Sequence, residues 1–204
     1  MAASPPGPID FYFDFSSPYG YFAAMAIDEA AAGWGRAVRW RPMMLGPALQ
    51  TSGNRPLVDQ PLKGDYAKHD WARFARFMKL PWRLPEPFPV AALAPARAFY
   101  WLHDDDEGLA KAFARAAFTA YFGDGRDISE AAVTADVAAS VGVAREPLLA
   151  AIGDPAVKEK LKRETADAIA RGVFGSPIFV VDGELFWGAD RLWMIKRWIE
   201  RGGW

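Results

Sequence analysis

The sequence predicts an α/β fold in which a βαβ unit near the N-terminus and a ββα unit near the C-terminus flank a run of helices. Three observations carry this. Ile9, Phe11, Phe13 and Phe15 alternate with Asp10, Tyr12 and Asp14, which is the period of a strand. Ser17-Pro18 follows directly and reads as an N-cap with proline at the first helical position. Near the other end, Pro177–Val181 and Glu184–Trp187 are short apolar runs joined by Asp182-Gly183, a hairpin turn signal.

The elements follow in order. A strand over about residues 9–15 leads into a helix from Pro18 to about Ala32, which stops near Gly33. A second strand covers 37–42, so the opening is βαβ and the strands pair in parallel. Residues 43–95 are dense in glycine and proline; one helix lies inside them, about 64–79, with Tyr66, Trp71, Phe74, Phe77 and Met78 as its apolar stripe. Pro81 to Pro89 reads as extended loop. Helical spacing returns at about 95–104, 108–122, 129–141 and 145–152, with Asp127 and Glu130 as a capping box and Gly142 as a stop. Asp154-Pro155 opens a helix to about Arg171, and Asp190 caps a last helix to about Glu200. This order is the thioredoxin-like plan with an α-helical insertion. It places a discontinuous thioredoxin-like domain in residues 9–45 and 155–204 and the inserted, mainly helical domain in 46–154.

The bulk composition closes several function classes. The chain has 204 residues, 51% hydrophobic and 24% charged, enough for a large core. A net charge of −1 with dispersed Lys and Arg argues against a nucleic-acid partner. There is no cysteine, so disulfide exchange, thiolate metal sites and cysteine catalysis by the chain's own residues are excluded. The two histidines, His69 and His103, lack ligand-like spacing, so no metal is expected. Met1–Pro8 reads as a short flexible lead without a signal-peptide pattern, and no apolar run is long enough to span a bilayer. A soluble cytoplasmic protein is expected.

Three places carry chemistry. Ser17 stands at the positive end of a helix, among backbone N–H groups, where an anion is stabilised; the plainer reading is a helix cap alone. Gly175-Ser176-Pro177 opens a strand, and an X-Pro bond there is a candidate cis peptide, although a trans proline is the commoner case. A cis bond would leave the Ser176 backbone N–H and C=O unpaired at an edge, free to pair with a peptide-like ligand. In Trp187-Gly188-Ala189-Asp190-Arg191, amides beside Asp190 form a further anion site, and Asp190 suits an ammonium; again the plainer reading is a cap.

These pieces, with Ser52-Gly53-Asn54-Arg55-Pro56 and Lys63, stand in an order that resembles the 2-hydroxychromene-2-carboxylate isomerases and kappa-class glutathione transferases, within the DsbA-type thioredoxin-fold group. The resemblance spans almost the whole chain. It implies glutathione as cofactor or co-substrate, with Ser17 the catalytic residue that hydrogen-bonds the thiolate. Ser17 falls where redox relatives carry the first cysteine of CxxC, and Gly20 where they carry the second. The resemblance further implies that Ser176 pairs with the cysteinyl backbone of glutathione, with Pro177 cis. Ala189 and Asp190 would hold the γ-glutamyl end, assisted by Arg191. Asn54 and Lys63 would contact glutathione or the organic substrate, and Phe88 the aromatic substrate. A helix end plus one hydroxyl would lower the thiol pKa by about one to two units, about 1.4 kcal/mol each. The implied reaction is a cis–trans isomerisation by thiolate addition and elimination in aromatic catabolism. A kappa-like transferase or peroxidase is the alternative, and a non-catalytic binding or chaperone module a second one. The family also suggests a homodimer, for which Trp193, Trp198 and Trp204 are candidates. Asp104–Glu107 reads as a solvated loop, and Trp101, Phe113 and Phe118 as packing.

Overall fold

The computed structural model describes residues 7–204; the first six residues of the lead read over Met1–Pro8 lie outside them. β1 (Ile9–Phe13), α1 (Pro18–Gly33) and β2 (Val38–Pro42) form the expected βαβ unit, with β1 and β2 parallel from Ile9–Val38 to Phe13–Pro42. β3 (Ile178–Val181) pairs antiparallel with β1 on its other side, Tyr12 against Ile178, and β4 (Glu184–Trp187) pairs antiparallel with β3. The sheet order is β2-β1-β3-β4. The two ends of the chain thus share one sheet, and the end of β1 meets the start of β3. That junction places the Ser17 turn beside Pro177.

Seven helices fill the sequence between β2 and β3: α2 (Leu45–Thr51), α3 (Lys63–Met78), α4 (Leu93–His103), α5 (Glu107–Phe122), α6 (Ala131–Ala139), α7 (Arg145–Gly153) and α8 (Pro155–Ala170). The helix α9 (Leu192–Arg201) closes the chain. No helix among the described residues is long and apolar enough to cross a membrane.

The sequence reading differs from this in four places. α2 was expected as loop because of Gly46 and Pro47. Pro47 sits in its first turn, where a missing N–H costs no hydrogen bond. β1 ends at Phe13 rather than Phe15, because the Asp14 peptide leaves the ladder to serve the turn described below. Asp127 and Glu130 make no capping box: Asp127 accepts from the Ser129 N–H and hydroxyl at 2.9 and 2.6 Å, and Glu130 makes no side-chain cap. Asp190 does not cap α9, whose N-cap is Arg191 without a side-chain bond; Asp190 lies in a single 3-10 turn, Ala189–Arg191.

The core explains why β1 is so aromatic. Phe11 and Phe13 are fully buried and pack edge-on against Trp40, with Phe13 also touching Phe99 and Phe118. Tyr12, on the alternate side, is buried too. It joins Met43, Ala48, Ala168, Val173 and Ile178 beneath α2 and α8. Both faces of the sheet are therefore covered, and the alternation in β1 sorts side chains between two apolar layers. The β3–β4 hairpin has Asp182 and Gly183 both at positive φ, 52° and 92°, the backbone that a two-residue turn of this hand requires. The Asp182 carboxylate takes both guanidinium nitrogens of buried Arg36, at 3.0 and 2.7 Å, which hold its pKa below the usual range.

Candidate functional site

Ser17 is the N-cap of α1. Its Oγ accepts the Gly20 N–H at 3.1 Å, and its hydroxyl donates to the Ser176 carbonyl at 3.0 Å. Both serines are buried. The Ser176–Pro177 peptide is cis, as the resemblance implied, and not the commoner trans form. The Ser176 edge is half engaged, which corrects the expectation of a free edge: its C=O takes the Ser17 hydroxyl, whereas its N–H has no acceptor among the described residues.

The amides around Ser17 are also less free than expected. The Ser16 N–H donates to Asp14 Oδ1 at 2.7 Å, and the Ser17 N–H to the Asp14 carbonyl at 3.0 Å. Gly20 is held by Ser17 itself, and Pro18 has no N–H. The Tyr19 N–H is left without an acceptor among the described residues. An anion at this helix end therefore meets one free amide, one amide at Ser176 and one hydroxyl.

Asp14, Ser16, Tyr19 and Asp70 were not singled out in the sequence. Asp14 is buried and forms no ion pair among the described residues, and burial pushes its carboxyl up to about 6, against the lowering effect of the Leu45 and Ser16 amides. Its identity as a strand-to-helix acid was legible; its burial was not. The Ser16 hydroxyl accepts the Val90 N–H at 3.0 Å, and Tyr121 donates to the Pro87 carbonyl at 3.0 Å, so residues 86–90 are latched onto the Ser17 turn. The Glu86–Pro87 and Phe88–Pro89 peptides in this segment are cis. Phe88 is half-buried with its ring packed on Trp71, Tyr121 and Phe122. Tyr19 donates to Asp70 at 2.6 Å, and Asp70 also pairs with Arg73. Burial raises the Tyr19 phenol well above its ordinary range, reinforced by Asp70 and by nearby Tyr66 and Asp190.

The Ala189–Arg191 turn packs against α1, and the Gly188 N–H donates to the Pro177 carbonyl at 3.1 Å. Asp190 is exposed and paired with Arg191 at 2.5 Å. Ser17, Ser176, Pro177 and the 189–191 turn are thus brought together. Asn54, on the segment after α2, and Lys63, the first residue of α3, are exposed, and no hydrogen bond links them to Ser17. Asn54 Oδ1 accepts from the Arg55 N–H at 2.9 Å and from Gln60 at 3.1 Å, and Lys63 forms no ion pair among the described residues.

With this geometry in place, comparison with known proteins gives a family: a family model for the DSBA-like thioredoxin domain matches residues 8–200. The chain belongs to the DsbA-like thioredoxin family. Within it, the chain is 30% identical to the 2-hydroxychromene-2-carboxylate isomerase of Sphingobium xenophagum, over 94% of this chain and 97% of that one. The kappa 1 glutathione S-transferase of Homo sapiens is 26% identical, over 92% of this chain and 88% of its own length. A solved 2-hydroxychromene-2-carboxylate isomerase superposes with a TM-score of 0.86 at 29% identity, covering 95% of this chain and 94% of that one. A probable DsbA oxidoreductase of Streptomyces coelicolor shares the fold, with a TM-score of 0.79 at 17% identity and coverage of 95% and 88%. The fold class and the family resemblance read from the sequence both hold.

In this DsbA-like chain, the site is tight around Gly20. A Cβ there would lie 3.1 Å from Ser17 Cβ, 3.1 Å from Ser176 Oγ and 3.2 Å from the Asp14 carbonyl. All three neighbours are held by mutual hydrogen bonds and yield poorly. Alanine would otherwise favour the helix by about 1 kcal/mol. Gly20→Ala is therefore expected to change stability by less than about 1 kcal/mol, the helix gain offsetting the crowding. The ¹H–¹⁵N resonances of Ser17 and Ser176 should nevertheless shift strongly; unmoved resonances would show that the site has slack.

Proposed function

We propose that this protein is a glutathione-dependent isomerase of the 2-hydroxychromene-2-carboxylate type. One observation carries the reading: a chain without cysteine keeps Ser17 at the helix end, bonded to the residue before cis Pro177, beside two amides that lack acceptors among the described residues. That arrangement fits a thiol brought in by a peptide-like cofactor. Its similarity to named isomerases over nearly the whole chain supports the same reading.

Bound glutathione would supply a soft thiolate that adds to an unsaturated carbon and leaves again with no net redox change. The chain's residues have separate tasks. The Ser176 N–H and C=O would hold the cysteinyl backbone. A ligand N–H arriving at the Ser176 carbonyl competes with the Ser17 hydroxyl, which is then released to donate to the sulfur. Binding and thiolate stabilisation are thereby coupled. The Tyr19 N–H and the helix end add to the same stabilisation. Ala189, Asp190 and Arg191 would bind the γ-glutamyl end, Asp190 taking the ammonium. Asn54 and Lys63 would close the α2–α3 side, and Phe88 would wall the aromatic substrate from the latched 86–90 segment. A homodimer in the cytoplasm is the expected setting, with exposed Trp193 and Trp204 at the candidate contact.

The test is spectrophotometric conversion of 2-hydroxychromene-2-carboxylate with and without reduced glutathione, beside a chloro-nitroaromatic acceptor. Glutathione-dependent conversion of the chromene is expected. Conversion of the acceptor alone would favour the transferase reading, to which the kappa-class relatives point. Wild-type protein that fails to be retained on immobilised glutathione, where Asp190→Ala is expected to be retained less, would remove the cofactor and leave a binding module.

A further inference from the structure

Each polar arm of Asp14 holds a different piece of the site. Its N–H donates to Ser176 Oγ at 2.9 Å, next to cis Pro177. Its carbonyl accepts the Ser17 N–H at 3.0 Å. Carboxylate oxygen Oδ1 accepts the Ser16 N–H at 2.7 Å, and Oδ2 accepts the Leu45 N–H at 2.8 Å. Leu45 is the first residue of α2, and the far end of α2 accepts the Asn54 N–H through the Leu49 carbonyl at 2.8 Å. The carboxylate is buried and forms no ion pair among the described residues. The groups facing it are the amides of Ser16 and Leu45 and, from α5, the Tyr121 phenol, the titratable group that feels its charge.

We propose that Asp14 is the positioning residue of the thiol site: its ionised carboxylate locks the β1–α1 turn to α2, so that Ser17, Ser176 and the Asn54 end of α2 present one fixed surface to glutathione. The ligand named here rests on the function proposed above; the lock itself does not. The chemistry is one of donors and acceptors. An ionised carboxylate offers lone pairs to both amides, whereas a protonated one turns an O–H toward one of them and leaves a buried N–H unpaired. Asparagine has the same defect at every pH, since its NH₂ faces one of the two donors.

The experiment measures the dissociation constant of reduced glutathione by calorimetry between pH 5 and 8, for wild type and Asp14→Asn. Glutathione's carboxylates do not titrate in this range. Wild type is expected to weaken below about pH 6, where Asp14 takes its proton, by about tenfold at pH 5 relative to pH 7; the thiol titrates only on the alkaline side and does so in both proteins. Asp14→Asn is expected to bind at least about tenfold more weakly at pH 7.5 and to show no acid limb. A purely structural loss would weaken binding yet leave the limb in place, so an unchanged limb in the variant overturns the proposal. A second measurement needs neither variant nor ligand. In wild type, the exchange protection of the Leu45 and Ser16 amides, corrected for intrinsic rate, should fall below pH 6. Protection that stays level from pH 5 to 8 overturns the lock even if glutathione binds. Wild type that binds no glutathione at any pH overturns the proposed function, and the amide protection then decides Asp14 alone.

Discussion

Ser17→Ala is expected to lower glutathione-dependent turnover by on the order of 10²- to 10³-fold, the cost of removing one aimed donor from a developing or resident anion. Affinity for glutathione should change by less than about tenfold, because the Ser176 edge and the 189–191 turn remain. The split between kcat and binding is the informative part. A residue that only capped α1 would cost stability and leave kcat intact. Here a stability loss comes as well: the Gly20 N–H loses its acceptor and the buried Ser176 carbonyl its donor, together about 2 kcal/mol. Steady-state kinetics, ligand titration and urea unfolding on one preparation separate the three effects. Unchanged kcat with lowered stability would reduce Ser17 to a cap.

The pH dependence of stability should carry the mark of Asp14. Its folded-state pKa is raised from the ordinary 3.8 to about 6 by burial. A raised pKa means that the folded state prefers the protonated form. The stability this contributes is full below about pH 4 and is lost as pH rises through about 6. About two pKa units correspond to about 3 kcal/mol. The difference in unfolding free energy between wild type and Asp14→Asn should therefore fall by about 2.5 kcal/mol from pH 4 to pH 7. Taking the difference removes acids such as Glu107 and Asp182, whose pKa values are lowered by Lys111 and Arg36 and which stabilise in the opposite direction. A difference that is flat with pH would place Asp14 in contact with water. The positioning role and this cost are two sides of one arrangement: an acid is kept buried and charged because two amides in the site need its lone pairs.

Much of this was legible because it is local. The strand period from Ile9, the Ser17-Pro18 helix start and the Asp182-Gly183 turn are short-range preferences, and the structure retains each. The failures were local rules overridden by packing. Pro47 looked like a breaker but lies within a first turn tied down by Asp14, and Asp190 looked like a cap but is paired with Arg191 in a 3-10 turn. Tyr12 alternates with the phenylalanines of β1, and its burial is set by α2 and α8, which cover the second face of the sheet.

What the sequence determined by itself about Ser17 is its address and the limit on its chemistry. A serine before proline ends a strand and starts a helix, and a chain without cysteine has no thiol of its own to exchange. What only the tertiary structure decided is the company it keeps. The Ser17–Ser176 bond joins residues 159 apart, and the Asp14–Ser176 bond spans 162. Such pairings depend on strand order and on which amides remain after every nearer partner has been satisfied. No window of sequence contains that information, because burial and hydrogen-bond competition are set by elements from both ends of the chain at once.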